Sequence, residues 1–253
     1  MSARLTSTFI VFEDTVLEYK YGKATGLGVK RFLLFFCLIG AAFNDVWGRA
    51  PSDTPPKTGM DLKAALKLMD EASVKVHSVQ TDFEWDDYER VVNQHDVNRG
   101  VLYLVRENGK IQFAADVQQG PDSPKYVLYK DETVRVFLKG GVTEYDVKKR
   151  KAVADSLVLL GFGASGRDLQ TSFHPRYIGT EQVGGTLVYQ LELVPLDPDA
   201  RNLFPSIFLW IDGNGIAVQQ KIDKGGGDYR VVKYSNTQIN PPKLPKGAFS
   251  EKR

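Results

Sequence analysis

Sulfur and imidazole chemistry is nearly missing from this chain. Its one cysteine, Cys37, lies inside an N-terminal apolar run. A processed chain without that run has no thiol, so disulfides, zinc–thiolate centres and cysteine nucleophiles are excluded there, and redox compartment cannot be read from disulfides. Three histidines occur, His77, His95 and His174. None stands at a metal-ligand spacing from another, and His174 precedes Pro175, as in a turn. Charge of one sign is also missing: 33 Lys+Arg against 31 Asp+Glu leave +2, which gives no basic face for nucleic acid. The dense basic cluster Lys148-Lys-Arg-Lys151 reads as a solvated turn. No G-x-S-x-G elbow occurs, and Ser165 in Gly-Ala-Ser-Gly-Arg lacks the strand and second half of that pattern. A fixed repeat is absent, which argues against a propeller or solenoid. Nothing in the sequence points to an enzyme, a cofactor or a metal.

A membrane-long apolar run is missing as well. The run from Phe32 to Phe43 would span about 18 Å as a helix, short of the ~30 Å hydrocarbon layer. Behind Lys30-Arg31 it has the shape of a secretory signal over 30–50, so export to the periplasm is expected. Cleavage is expected after Ala42, Gly48 or Ala50, with Pro51 disfavouring the last. Phe36 stands where a lipid-modified cysteine needs a small residue, so a lipoprotein anchor at Cys37 is not expected. Residues 1–29 form an uncertain extension, with translation expected to begin near Val29; N-terminal sequencing of an export-blocked precursor tests this. Residues 51–59, with Pro55-Pro56, read as a linker.

One domain over 60–250 is expected after the linker. Thr58, three residues before Asp61, predicts a capped helix start. The stripe Leu62, Ala65, Leu66, Met69, Ala72 and Val76 then predicts an amphipathic helix. Strands are predicted near 79–90, 96–106, 110–118, 125–130, 133–139 and 142–147. After a break at 152–174 they resume near 176–183, 186–195, 206–212, 215–223 and 228–236. The Asn108-Gly109 pair is a hairpin turn signal. Two short helices, 155–160 and 167–173, are predicted around the glycines of the break.

Ile111, Phe113, Ala115 and Val117 alternate with Lys110, Gln112, Asp116 and Gln118, as in a half-buried strand. The runs Val101-Leu-Tyr-Leu-Val105, Tyr126-Val-Leu-Tyr129 and Ser206-Ile-Phe-Leu-Trp-Ile211 are instead apolar on both sides. Antiparallel sheets usually keep one face for water, so either protein or an apolar guest covers the second face. Gly161-Phe-Gly163-Ala-Ser-Gly166 fits G-x-G-x-x-G, but a dinucleotide site needs a parallel strand before it and a full helix after it. Pro175 and the surrounding hairpins deny both. Asp82, Glu84 and Asp86 share one strand face opposite Phe83 and Trp85. Carboxylates marching along a strand do not converge on calcium, so that face is read as wet.

The order of these parts resembles the outer-membrane lipoprotein carrier family (LolA-like). Arg99-Gly-Val-Leu-Tyr-Leu-Val-Arg106 is similar to its "G-x-L-x-x-x-R" strand, and Ile111-Gln-Phe-Ala-Ala-Asp116 with Pro121 to its "kfrW…P" segment, without the tryptophan. Asp131-Glu-Thr-Val-Arg-Val-Phe137 with Tyr145-Asp146, Tyr189-Gln-Leu-Glu-Leu-Val-Pro195 and Phe208-Leu-Trp-Ile-Asp212 resemble its later hairpin and strand motifs. The glycine after Asp131 and the usual final strand are missing from the pattern. The resemblance covers about 60–250.

The resemblance implies a mainly β, α+β fold: an unclosed antiparallel barrel of about eleven strands, its concave face covered by small helices. It implies a monomeric periplasmic carrier of acylated lipoproteins, loaded by an inner-membrane exporter and unloaded to an outer-membrane receptor. A carrier of another amphiphile, such as a free lipid or isoprenoid, and a sensor or scaffold with a filled interior are the alternatives. Leu157, Leu159, Leu160 and Phe162 would form the cover, hinged at Gly161, Gly163 and Gly166. Phe83, Trp85, Tyr103, Ile111, Phe113, Leu128, Leu191 and Leu209 would line the pocket. Strand parity alone does not say which face is concave.

Overall fold

The computed structural model describes residues 59–148, 155 and 158–251. The leader with Cys37, the linker up to Thr58, most of the basic cluster and Leu157 lie outside the described residues. No helix among the described residues is long and apolar enough to cross a membrane.

Helix α1, Leu62–Lys75, begins at Asp61, whose carboxylate accepts the Ala64 N–H at 2.8 Å. The cap is therefore Asp61 itself; Thr58, which the spacing pairs with it, lies outside the described residues. The expected stripe is buried at Ala65, Leu66, Met69 and Ala72. The helix stops at Val76, which turns extended while its N–H still closes on the Ala72 carbonyl.

Among the described residues eleven antiparallel strands follow: β1 Ser78–Glu89, β2 Gln94–Glu107, β3 Lys110–Gln119, β4 Lys125–Lys130, β5 Thr133–Leu138, β6 Gly141–Asp146, β7 Phe173–Val183, β8 Thr186–Pro195, β9 Ile207–Ile211, β10 Ala217–Gly225 and β11 Asp228–Ile239. Short helices α2, Gly166–Ser172, and α3, Pro198–Leu203, sit between β6 and β7 and between β8 and β9. Helix α3 is absent from the sequence expectation, although Asp197 caps it and Pro198 occupies its first turn, a legible start signal.

All strands belong to one sheet in the order β6-β5-β4-β3-β2-β1-β11-β10-β9-β8-β7. The first and last strands to form the sheet, β1 and β11, pair at its centre. Strands β6 and β7 are its two edges, so the barrel is unclosed, as the resemblance implies. Laid flat, eleven strands would measure about 48 Å across. Yet one apolar cluster joins residues of β1–β5 and β7–β11 with α1, so the sheet curls round that helix. Register shifts that place an extra residue in β3, β7 and β11 and twice in β10 supply the local bends that curling needs.

The outer face carries a second cluster of Tyr103, Ala114, Tyr126, Leu128 and Phe137. The C-terminal segment 240–251 covers it: Leu244, Ala248 and Phe249 pack there, the Tyr126 hydroxyl donates to the Ala248 carbonyl, and Arg135 pairs with Glu251 at 3.2 Å. On β2–β5 the second apolar face is thus covered by the chain's own end.

Candidate functional site

Strand parity sorts the expected lining residues cleanly. Phe83 and Trp85 on β1, Leu191 on β8 and Leu209 on β9 lie in the cluster beneath α1, all buried. Ile111 and Phe113 on β3 are half-buried against the same cluster. Two expectations need correction: Tyr103 and Leu128 point the other way, beneath the C-terminal segment. A period of two sends Tyr103 opposite to Leu102 and Leu104, and Leu128 opposite to Val127 and Tyr129. Since both sets are apolar, hydropathy could not choose between them.

The cover over the inner face is the turn-rich segment 158–164. Leu159, Leu160 and Phe162 are buried in the inner cluster, and Phe162 meets the Tyr234 ring edge-on at 4.8 Å. Three contacts tie its backbone down. Ala217 N–H donates to the Gly161 carbonyl at 2.8 Å, Gln220 Nε2 to the Leu160 carbonyl at 2.7 Å, and Arg106 Nη2 to the Gly163 carbonyl at 2.5 Å. Arg106 also donates to the Ser73 carbonyl at the end of α1, so one guanidinium links helix and cover.

The three glycines are where the cover approaches its neighbours. A Cβ on Gly161 would lie 2.2 Å from the Ala217 Cβ, and Gly161 holds φ at 81°. At Gly163 and Gly166 a Cβ would meet Arg106 Nη2 at 2.7 Å and Leu66 Cβ at 2.8 Å. Close packing is therefore reason enough for glycine at each position. The G-x-G-x-x-G pattern makes no phosphate cradle: Gly166 opens a seven-residue helix, and its N–H donates to Asp70 Oδ1 at 2.9 Å.

Beyond Trp85 the inner face changes character. Asp87 follows Phe83 and Trp85 on the same side of β1. Arg230 grips it with Nε at 2.9 Å and Nη2 at 2.6 Å, and Lys224 Nζ adds a contact at 2.5 Å. The Lys224, Arg230 and Asp87 side chains are 2%, 9% and 13% exposed. Burial pushes the Asp87 carboxyl up, but the Arg230 and Lys224 charges and hydrogen bonds outweigh it and hold the group below its ordinary value. Lys125 on β4 reaches the same place, bonding Asp122 at 3.1 Å. Burial, against the pull of Asp122, lowers its pKa, and Arg230 adds to that lowering.

Trp85 is the floor of this group. It stacks on Phe83 at 4.8 Å with 11° between the rings. Arg230 Cζ stands 4.8 Å and Lys125 Nζ 5.9 Å from its ring centre, within cation–π reach. Sequence reasoning missed these ionisable residues. The signal was there: Asp87 continues the Phe83/Trp85 parity, Arg230 that of Val232 and Tyr234, and Lys125 that of Val127 and Tyr129.

The outer face of β1 is wet and paired, as expected. Asp82 accepts from Asn236, Glu84 from Arg99 and Asp86 from His95, at 2.7, 2.8 and 2.8 Å. Among the described residues no group of three His, Cys, Asp or Glu could hold a metal ion.

No family model and no curated protein matches the chain. Solved structures similar to it include a LolA superfamily protein from Nitrosomonas europaea, at 16% identity over 76% of this chain and 99% of that one, with a TM-score of 0.39. An outer membrane lipoprotein-sorting protein domain from Vibrio parahaemolyticus is 10% identical over 74% of this chain and 97% of that one, with a TM-score of 0.42. The MucA/MucB complex of Pseudomonas aeruginosa gives 13% identity and a TM-score of 0.43, over 74% of this chain and 60% of that one. Each is a likeness in chain path, and none assigns a role to a residue of this chain.

Proposed function

We propose that the protein is a non-enzymatic envelope carrier that shelters acyl chains on its inner face. Its cargo is the lipid-modified end of lipoproteins, taken from an inner-membrane exporter and passed to an outer-membrane receptor. The observation that carries this reading is the construction of the cover. An apolar face spanning ten of the eleven strands is closed by one helix and by a turn-rich segment tied through its carbonyls to Ala217, Gln220 and Arg106. The leader at 30–50 supports a periplasmic location, and the protein acts as a monomer in this scheme.

Magnitudes make such exchange workable. Sheltering an acyl chain of about sixteen carbons is worth on the order of 12 kcal/mol at ~0.8 kcal/mol per methylene. Withdrawing Leu159, Leu160 and Phe162 forfeits about 1.5–3 kcal/mol each. An incoming chain can therefore replace the cover's side chains with a few kcal/mol to spare, which favours binding yet permits release.

The test is lipid extraction from protein purified out of the periplasm of a double-membraned host, with mass spectrometry of the extract and displacement of a fluorescent fatty acid. Acylated lipoprotein fragments in the extract are expected. Phospholipid or isoprenoid alone would move the assignment to another amphiphile. An empty extract together with no probe binding would contradict the carrier. It would favour a sensor or scaffold, a reading to which the seating of Phe162 against Tyr234 lends support, since it sets side chain on side chain beneath the cover.

A further inference from the structure

We propose that Lys125, Arg230 and the Asn98 amide, set around Trp85, form a headgroup site that takes the carboxylate or phosphate of a bound amphiphile. This rests on the amphiphile-binding reading above and names the chemistry at the polar end of the ligand.

Position is the first argument. Trp85 pairs across the strands with Val232 on one side and Asn98 on the other, and its ring lies on Phe83. The cations begin where the apolar row ends, on the same face. A molecule with a hydrocarbon tail and a negative head has that same division.

Composition is the second. At neighbouring positions of this face stand Val232, Val127 and Ile222, all in or against the inner cluster. Hydrocarbon would serve packing equally well here, and burying ions is expensive even when they are paired. Arg230 and Lys125 are nonetheless both 9% exposed. Arg230 is locked onto Asp87, which fixes its fork in place. Lys125 is held by Asp122, a loop carboxylate 42% exposed, which an incoming anion can displace into water. Glu89, half-exposed, continues the face one step toward the rim, and Asp228 faces Lys224 across the turn of the same β10–β11 hairpin; both bound the site on its outer side.

A buried donor is the third. Asn98 is fully buried, and its carbonyl accepts the Asp122 N–H at 3.0 Å. Its Nδ2 has no hydrogen-bond partner among the described residues. A buried amide left without an acceptor is costly. An anion bridging Lys125 and Arg230 beside it supplies that acceptor.

The experiment is calorimetric titration of the full chain with laurate, with lauryl phosphate, with monolaurin as the neutral ligand of the same chain length, and with inorganic phosphate. Laurate and lauryl phosphate are expected to bind about tenfold or more tightly than monolaurin, the worth of one charge-assisted contact. Lys125→Met should bring the ratio of laurate to monolaurin affinity toward one, and Lys125→Arg should keep it. Equal affinity of the wild-type protein for laurate and monolaurin would overturn the headgroup site while leaving acyl binding intact. Inorganic phosphate binding as tightly as lauryl phosphate would overturn it too, by uncoupling the anion from the chain. Failure of every lipid to bind would instead overturn the amphiphile reading beneath it. The wild-type comparison stands even where a variant does not fold.

Discussion

Arg230 stands over the indole of Trp85, with its Cζ 4.8 Å from the ring centre, while its nitrogens grip Asp87, the next inward-facing residue of the same strand. Asp87→Ala would leave Arg230 and Lys224 buried without their shared carboxylate, at a cost of about 3–5 kcal/mol. Urea unfolding at neutral pH should show the loss as a lowered midpoint. An unchanged midpoint would mean that the pair contributes nothing to the fold.

The same carboxylate gives a pH signature. Its folded pKa is depressed by Arg230 and Lys224 in spite of burial. Its stabilisation is therefore complete above the unfolded value of about 3.9 and fades as pH falls through the folded value. Urea midpoints between neutral pH and about pH 3 should fall more for the wild-type protein than for Asp87→Asn. Parallel curves for the two would contradict the assignment.

Gly161→Ala places a Cβ 2.2 Å from that of Ala217 at a φ of 81°. Strain and overpacking together predict a loss of about 1–3 kcal/mol. Gly179→Ala, where nothing lies within 4 Å and φ is ordinary, should sit within about 0.5 kcal/mol of the wild type. Thermal unfolding of the two variants side by side checks the contrast.

Arg106→Leu removes the donors to the Gly163 and Ser73 carbonyls. Because each orphaned carbonyl costs about 1–3 kcal/mol, the cover should loosen before the sheet does. Faster hydrogen exchange at Phe162 and Ala164, with Leu104 and Leu209 amides unchanged, is the expected pattern. Uniform acceleration throughout would show instead that Arg106 supports the whole fold.

Ending the chain at Asn240 would bare Tyr103, Tyr126, Leu128 and Phe137 on the outer face. The inner cluster does not depend on that segment, so the shortened chain should fold and then self-associate through the new apolar patch. Sedimentation of the truncated protein tests this: a clean monomer would show that the segment is dispensable as a cover.

Alternation and turn residues made the strands legible almost to their ends. Turn pairs such as Asn108-Gly109 and the Gly-Gly-Gly-Asp run before Tyr229 leave little freedom in where a hairpin bends. What hydropathy could not resolve was direction. On β2 and β4 both faces are apolar because the chain's own C-terminal segment occupies the outer one, so hydropathy groups Tyr103 and Leu128 with Ile111 and Phe113. The charged end of the inner face was missed for the opposite reason. Asp87, Lys125 and Arg230 sit at inward parity, but a search for apolar lining passes over ions. The glycines of the cover looked like freedom of movement, whereas the spacing of Gly161 from Ala217 and of Gly166 from Leu66 shows contact. Contacts of that kind are set by tertiary packing and leave no trace in local sequence.

Quenching of tryptophan fluorescence by brominated fatty acids tests the inner-face account most directly, because Trp85 lies on that face and Trp210 bonds Glu181 away from it. In a Trp47→Phe, Trp210→Phe chain the remaining Trp85 should be quenched by bromine at one depth along the acyl chain and spared at others. In a Trp47→Phe, Trp85→Phe chain Trp210 should be spared throughout. Equal quenching of both tryptophans, or of neither, would contradict a chain lying beneath the cover.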